Sequence, residues 1–313
     1  MAITAAMVKE LREMTGAGMM DCKKALTETD GDMDKAVDYL REKGLAGAEK
    51  KAGRIAAEGI VATAVCPKCG KKAVIVEVNA ETDFVAKNEK FTSYVAEVAD
   101  QLLKSDVQTV EEFLEEKWAL DPSMTVKEKL SSMISVIGEN MNIRRFARMN
   151  VEEGTVASYI HAGGKIGVLV KVESDVVNDA VAEMGRNICM QAAALRPRFC
   201  SNADVPADFI AKETEILKAQ IENDPKEAAK PEQVKMGMIK GRINKELKEL
   251  CLLDQVYVKA EDGKQTVSQY IAQVAKENGA NIKVTSFLRF ETGEGLEKRN
   301  EDFAAEVAKQ MGK

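Results

Sequence analysis

The stretch Val-Ile-Val-Glu-Val-Asn-Ala-Glu-Thr-Asp-Phe-Val-Ala-Lys-Asn-Glu-Lys-Phe, residues 74–91, contains a strand, an elbow and the start of a helix. Residues 74–78 form a short run rich in β-branched side chains, which is typical of a strand. From Phe91 onward apolar residues recur at helical spacing, and Asn88 is a suitable N-cap, so a helix is predicted over 88–104. The elbow between strand and helix contains Thr82, Asp83, Phe84 and Val85.

Two interpretations of this elbow follow from the pattern. Aromatic side chains are usually buried, so the first interpretation is that Phe84 fills the core while Asp83 helps to cap the helix. In the second interpretation, the elbow lets the adjacent carboxylate and ring project from the surface. The pattern by itself favours the first.

The composition indicates a protein of the reduced cytoplasm with more than one unit. At 313 residues the chain can hold two or more units that each bury a core. A net charge of −6 argues against a nucleic-acid binder, and the apolar runs are too short to span a membrane. The N-terminus has no signal or transit pattern, and six scattered cysteines do not make a disulfide scaffold. We therefore expect a cytoplasmic protein.

The N-terminal segment is predicted to form three short helices separated by glycine turns. Gly44 is expected to lie just past the end of the third helix. Residues 45–58 are rich in Ala, Gly and Lys without an apolar stripe, so they are predicted to be a linker. Met19 and Met20 follow the first glycine turn. A unit this small is expected to bury one of them and to leave the other for binding.

A strand–turn–strand pattern occurs twice in the chain, and a predicted helix follows each copy. The repetition predicts an α+β protein with two similar halves, each an antiparallel hairpin covered by helices. Between the copies, Thr125 and Glu128 predict a capping box for a further helix, and Gly138 is expected to end it. The two copies comprise residues 59–64, 74–78 and 88–104, and residues 154–159, 168–172 and 179–195.

The turns of the two predicted hairpins contain the residues that could bind a metal or take part in catalysis. The first turn has Cys66 and Cys69 in a Cys-Pro-Lys-Cys-Gly run, which is half of a zinc knuckle. A complete site needs four ligands, and the chain has no second Cys-x-x-Cys or His pair. A reduced turn is therefore favoured over a half-site completed by a second chain. The second turn contains the one histidine, His161, and lacks the P-loop form.

The last third of the chain is predicted to be mainly helical. Residues 207–250 have two narrow apolar stripes with charged flanks, separated by a proline-bracketed turn, which predicts an antiparallel coiled-coil arm. A helix over 267–276, an alternating strand over 282–290 and a last helix over 302–311 are predicted after it.

Several motifs resemble those of a known family. The three-helix start with its glycine turn resembles a ubiquitin-associated (UBA-like) domain. Residues 8–12 (Val-Lys-Glu-Leu-Arg) and 15–26 (Thr-Gly-Ala-Gly-Met-Met-Asp-Cys-Lys-Lys-Ala-Leu) resemble the N-terminal signature of translation elongation factor Ts. The tip with Cys66 and Cys69, which many relatives lack, is the main departure. The resemblance covers essentially the whole chain and includes residues 78–91, 137–140, 142–145, 161, 166–170, 287–290, 293–295 and 302–307.

The resemblance implies an α+β protein of four parts. A UBA-like domain with its linker is expected at residues 1–53, and a C-terminal helical module at 291–313. The two halves of the core are expected at 54–153 and 154–290, with the coiled-coil arm inserted into the second half at about 205–250.

The family is the guanine-nucleotide exchange factor of elongation factor Tu, so the resemblance implies a binding protein without a catalytic site or a cofactor. Thr82, Asp83, Phe84 and Val85 are expected to dislocate the partner's magnesium ion. The other expected partner contacts are Arg12, Met19, Met20, Lys23, Lys51, Ile137, Gly138 and His161. Direct binding to nucleic acid or membrane is not expected. A homodimer, or a two-plus-two complex with elongation factor Tu, stays open.

Two other functions are considered. An enzyme would have to use His161 or the pair Cys66 and Cys69, but the chain has no clustered acid–base set and no cofactor fingerprint. The UBA-like head alone would suit a ubiquitin-type or chaperone-type binding module without exchange activity.

Overall fold

The computed structural model describes residues 3–297, and its first unit is a small three-helix head. Asp32 caps the third helix by accepting a 3.1 Å hydrogen bond from the backbone N–H of Lys35. The core of the head buries Val8, Leu11, Cys22, Ala25, Leu26 and Ala36. The three helices are α1 (Ala5–Thr15), α2 (Met19–Glu28) and α3 (Met33–Lys51).

The first half of the core contains five strands and four helices. They are β1 (Glu58–Val65), β2 (Lys72–Ala80), α4 (Asp83–Ala86), α5 (Glu89–Lys104), α6 (Val110–Glu115), β3 (Lys117–Trp118), β4 (Asp121–Thr125), α7 (Val126–Ile137) and β5 (Met141–Asn150). β1, β2 and β5 form an antiparallel sheet in that order. Asn88 caps α5 as predicted, and the predicted capping box of Thr125 and Glu128 begins α7.

The second half repeats this plan. Its elements are β6 (Gly154–His161), β7 (Ile166–Ser174), α8 (Asp179–Leu195), α9 (Ala207–Asn223), α10 (Pro225–Ala228), α11 (Glu232–Leu250), α12 (Val267–Asn278) and β8 (Ile282–Glu291). β6, β7 and β8 form a second antiparallel sheet in that order. The α+β class is therefore confirmed. The predicted last helix, over 302–311, and most of the predicted module at 291–313 lie outside the described residues.

The two sheets pack against each other, and helices cover their outer faces. Ile75 of β2 and Leu169 of β7 belong to the apolar cluster between the sheets. Side chains alternate across a strand, so the neighbouring Val74 and Val76 face α5 and α7 instead. Val168 and its alternate neighbours in β7 face α8 and α12 in the same way.

The two halves begin with the same backbone feature. Gly59 near the start of β1 has a φ of +122°, and Gly154 at the start of β6 has a φ of +117°. A Cβ at Gly59 would lie 2.2 Å from the carbonyl oxygen of Val78, and one at Gly154 would lie 2.1 Å from that of Val172. Only glycine fits at both positions, because it tolerates a positive φ and allows this close approach.

A buried carboxylate joins the two halves. Glu77 has no solvent exposure, and it accepts hydrogen bonds from Arg144 at 3.0 Å and Arg145 at 2.6 Å. The backbone N–H of Gly293 donates to it at 2.8 Å, and Arg144 also donates to the carbonyl oxygen of Glu294 at 2.6 Å. A buried charge is tolerated when it is paired and hydrogen-bonded. This cluster therefore fixes the segment after β8 against the first sheet.

The predicted linker is shorter than expected. α3 runs through Gly44 and ends only at Lys51, so the linker prediction for 45–58 is wrong over its first part. A Cβ at Gly44 would lie 3.4 Å from Oγ of Ser135 in α7, so α3 packs closely against that helix. Glycine disfavours a helix by about 1 kcal/mol, and packing against α7 offsets that cost.

The predicted arm at 207–250 is a helical hairpin of α9 and α11. Leu217, Ile221 and Ile239 form its small apolar contact, and Asp224 caps the connecting helix α10. Among residues 3–297, none of the helices is both long enough and apolar enough to cross a membrane.

Gly59→Ala should lower the free energy of unfolding by about 3 kcal/mol, because the new Cβ meets the backbone of β2 at a strained φ. Gly241→Ala is the matched control. A Cβ at Gly241 in α11 meets nothing within 4 Å, so this change should be neutral or stabilising. Urea unfolding of both variants measures the difference. Equal midpoints for the two variants would contradict the strained start of β1.

Candidate partner-binding surface

The elbow after β2 presents Phe84 to solvent. Thr82 caps the short helix α4 by accepting a 3.3 Å hydrogen bond from the backbone N–H of Val85. Val85 and Ala86 are buried, whereas the residue Phe84 is 81% exposed. The interpretation that Phe84 fills the core is therefore wrong. The buried neighbours hold the turn in place, so the ring projects from an anchored element.

A carboxylate from the turn before β5 holds the elbow. Glu139 accepts two hydrogen bonds from Thr82, one from the backbone N–H at 3.0 Å and one from Oγ1 at 2.7 Å. Hydrogen bonds to a charged acceptor are among the stronger ones in proteins, at about 1.5–3 kcal/mol each. The backbone N–H and the hydroxyl of Thr82 both bond to the carboxylate of Glu139, so the position of α4 is fixed relative to β5.

The neighbouring residues make a second link. Glu81 Oε1 accepts a 2.6 Å hydrogen bond from the backbone N–H of Asn140 and pairs with Arg54 at 3.4 Å. The side-chain amide of Asn140 donates to the carbonyl oxygen of Arg54 at 2.8 Å. Three segments therefore meet here: the end of β2, the start of β5 and the chain that leaves α3.

Asp83 lies beside Phe84 on the exposed side of the elbow. Its carboxylate accepts a 2.7 Å hydrogen bond from Lys87 Nζ, one helical turn away. This hydrogen bond is the main cause that lowers the pKa of Asp83, and the charge of Lys165 lowers it further. Asp83 is therefore a carboxylate at neutral pH, and it presents a negative charge next to an apolar ring.

The structure places Ile137 and Gly138 beside this elbow, and it links the turn after His161 to it through Lys165. Ile137 ends α7, and Gly138 caps it with a φ of +88°, directly before Glu139. His161 is exposed at the end of β6, where its Nδ1 lies 3.0 Å from the hydroxyl of Tyr159. The turn after His161 leads to Lys165, whose charge acts on Asp83.

The head presents a separate apolar surface. Met19 is 58% exposed and Met20 is 74% exposed, so the expectation that one of them is buried is wrong. Leu11 and Leu26 already fill the small core of the head, which leaves no room for either methionine. Arg12 and Lys23 are exposed in α1 and α2. The structure therefore separates two predicted surfaces, one on the head and one at the elbow.

Lys51 lies at the end of α3 rather than in a linker. It lines a cleft of about 700 Å³ between the head and the first half of the core. The cleft also contains Arg41, which donates a 2.7 Å hydrogen bond to Ser123 across it.

Sequence reasoning missed the residues that hold the elbow. Glu81, Glu139 and Asn140 were given no role of their own, although the last two follow Gly138 directly in the sequence. A polar pair after a helix-ending glycine is a weak signal, because such residues are commonly solvated. Only the contacts of Thr82 reveal what Glu139 does.

The described part of the chain has no metal-binding cluster of its own. Within residues 3–297, no group of three or more His, Cys, Asp or Glu side chains is arranged to hold a metal ion. The tip with Cys66 and Cys69 therefore has two thiol ligands and no third ligand from the described residues.

Comparison of the sequence with known proteins places this chain among the translation elongation factors. The sequence model of the family described as Elongation factor TS matches residues 81–294. Elongation factor Ts of Clostridium perfringens strain SM101 is 54% identical over 311 residues, which cover 99% of this chain and 100% of that relative. Elongation factor Ts of Clostridium novyi strain NT is 51% identical over 309 residues, which cover 99% of each chain.

The chain belongs to the elongation factor Ts family, the nucleotide exchange factors of elongation factor Tu.

Glu139→Ala should release the elbow. Thr82 would lose both partners, so stability should fall by about 1–3 kcal/mol, and amide hydrogen exchange should accelerate from Thr82 to Ala86. Hydrogen exchange read by mass spectrometry measures this locally. Glu111→Ala is the control, since Glu111 is exposed on α6. Unchanged protection of the elbow in the Glu139 variant would show that other contacts hold it.

Proposed function

We propose that this chain promotes GDP release from elongation factor Tu by pressing the elbow of Thr82, Asp83, Phe84 and Val85 against the nucleotide-binding domain of that partner. The observation that carries the proposal is the exposed ring of Phe84 on a short helix whose neighbouring residues are buried and hydrogen-bonded. A large apolar ring held outward by an anchored turn is suited to enter a partner.

The expected result in the partner is loss of the magnesium ion. A P-loop protein holds phosphates on backbone N–H groups, and Mg²⁺ bridges the phosphates and side-chain ligands. A ring inserted between the supporting elements separates them, and the charged Asp83 makes a polar contact close by. The ion and then GDP bind less tightly, and GTP can take the vacated site. By linkage, the nucleotide weakens binding of this chain by the same factor.

No acid or base chemistry is needed for this step, because nucleotide release breaks no covalent bond. The requirement is instead a rigid wedge. If binding first had to order the elbow, that cost would be subtracted from the energy available to distort the partner. The two hydrogen bonds between Thr82 and Glu139 avoid that cost by fixing the elbow beforehand.

The head is proposed to be a UBA-like docking unit. Arg12, Met19, Met20 and Lys23 would contact a helix of the partner's nucleotide-binding domain, and Lys51 would support the contact from the end of α3. Methionine is a flexible apolar residue that suits binding surfaces. Two exposed methionines between basic residues fit a partner helix with an apolar stripe and acidic flanks.

The remaining parts extend the contact. Ile137, Gly138 and His161 would touch the partner near the elbow, and the second half of the core would reach another of its domains. The hairpin of α9 and α11 is proposed to be the family's coiled-coil arm. We propose that the complex forms in the cytoplasm, without a cofactor and without direct contact to nucleic acid.

Phe84→Ala should slow GDP release from elongation factor Tu by at least about tenfold at saturating concentration of this chain. Truncating a hot-spot aromatic costs about 2–4 kcal/mol of binding free energy. Part of that energy would no longer be available to distort the partner, so GDP would leave more slowly. Initial docking should change much less, because the head still binds. Stopped-flow release of a fluorescent GDP measures both.

Leu120→Ala is the control for Phe84, since Leu120 is also an exposed apolar residue, at 69% exposure, and lies in the β3–β4 turn. Its release rate should equal that of the unmodified chain. If the Phe84 variant also saturates at the unmodified rate, the ring carries no exchange function and the chain is a binding module instead.

Replacing both Met19 and Met20 with Asp should weaken complex formation while leaving the chain folded. The two residues are exposed, so the change removes no core contact, but it places carboxylates in an apolar contact. Titration calorimetry with nucleotide-free elongation factor Tu, together with circular dichroism, measures both effects. Leu120→Asp, at an exposed position in the β3–β4 turn, is the control. Equal affinity of the methionine variant and the control would rule out docking through this surface.

A further inference from the structure

The tip of the β1–β2 hairpin is a compact knuckle that displays two thiols. The backbone N–H of Cys66 donates to the carbonyl oxygen of Lys72 at 2.8 Å, and the N–H of Gly70 donates to the carbonyl oxygen of Cys66, also at 2.8 Å. Gly70 has a φ of +63°, which turns the chain back into β2. Cys69 is exposed and Cys66 is half-buried.

One sulfur atom of this knuckle receives a backbone hydrogen bond. The backbone N–H of Lys71 donates to Sγ of Cys69 at 3.4 Å. A backbone N–H donor of this kind helps to orient a cysteine sulfur as a metal ligand.

The other four cysteines have the opposite environment. Burial raises the pKa of each of these thiols, and none of them is exposed. They are Cys22, Cys189, Cys200 and Cys251. The two cysteines of the tip are thus the accessible pair among the six cysteines of the chain.

The knuckle is fixed before any ligand arrives. The carbonyl oxygen of Gly70 accepts hydrogen bonds from the N–H of Val156 at 2.8 Å and from Oγ1 of Thr155 at 3.2 Å. Lys71 is held through its carbonyl oxygen by the N–H of Val151 at 2.9 Å, and its Nζ donates to the carbonyl oxygen of Glu152 at 2.8 Å. A pair of thiols held in this way presents both sulfurs without an ordering cost.

We propose that Cys66 and Cys69 bind Zn²⁺, and that the same pair from a second copy of this chain completes the shell of four sulfurs. Zn²⁺ takes four ligands in structural sites, and each tip supplies two. Within residues 3–297 no third ligand of this chain is grouped with the two cysteines. A twofold axis through the ion supplies the missing pair from identical residues, and such an interface closes as a dimer.

Charge supports the four-sulfur shell. One Zn²⁺ with four thiolates carries a net charge of about −2. Three exposed lysines, Lys68, Lys71 and Lys72, surround each tip and offset that charge. A disulfide between Cys66 and Cys69 would carry no charge for these lysines to offset. The surroundings of the pair therefore favour a metal thiolate over a disulfide.

The test uses the full chain, purified under reducing conditions and stripped with a chelator. Adding Zn²⁺ should give half a zinc ion per chain by elemental mass spectrometry and a doubling of mass by light scattering, and the chelator should reverse both. Co²⁺ in place of zinc should show intense tetrahedral thiolate bands that saturate at the same half-equivalent.

The double change Cys66→Ser with Cys69→Ser should abolish zinc uptake and the dimer while leaving GDP release from elongation factor Tu unchanged. Cys22→Ala, which removes a buried thiol of the head, is the control and should retain both zinc uptake and the dimer. Three results would each overturn the shared site. They are one zinc ion per monomer, no zinc above the level of the double variant, and a zinc-free dimer that dithiothreitol dissociates. Zinc uptake and GDP release are measured separately. Failure of the unmodified chain to release GDP would therefore count against the proposed exchange function and not against the zinc site.

Discussion

Two hydrogen bonds from Thr82 to the carboxylate of Glu139 are the constraint on which the proposed exchange surface depends. They join the end of β2 to the turn before β5, and they fix α4, which lies between Thr82 and Lys87, relative to the sheet. Burial of Val85 and Ala86 anchors the inner side of that helix, so Phe84 has to point outward. The exposed ring is therefore a consequence of how the first sheet closes.

The sheet itself is supported from the second half of the protein. Glu77 of β2 is buried and paired with Arg144 and Arg145 of β5. The same carboxylate accepts a hydrogen bond from the backbone N–H of Gly293, in the segment that follows β8. Removing one partner from such a cluster leaves an uncompensated buried charge, which typically costs about 3–5 kcal/mol. The C-terminal end of the core thus helps to hold the strand that leads into the elbow.

The sequence was sufficient for the elements whose signals are local. Asn88, Thr125 and Gly138 predicted helix ends through capping chemistry, and the two strand–turn–strand patterns predicted the two sheets. The failures came where distant contacts outweigh local preference: α3 continues past Gly44 because it packs on α7, and Phe84 is exposed because Glu139 holds the turn. Neither contact leaves a signal in the local pattern, since it joins residues far apart in the chain.

The central claim is that Phe84 acts as a wedge because Glu139 fixes it, and a double-mutant cycle on GDP release tests that dependence directly. The release rate at saturating factor would be measured for the unmodified chain, Phe84→Ala, Glu139→Ala and the double variant. The account predicts strong coupling: Glu139→Ala slows release when Phe84 is present and has little further effect when the ring is already gone. Additive effects of the two changes would contradict it, because Glu139 would then act independently of the ring.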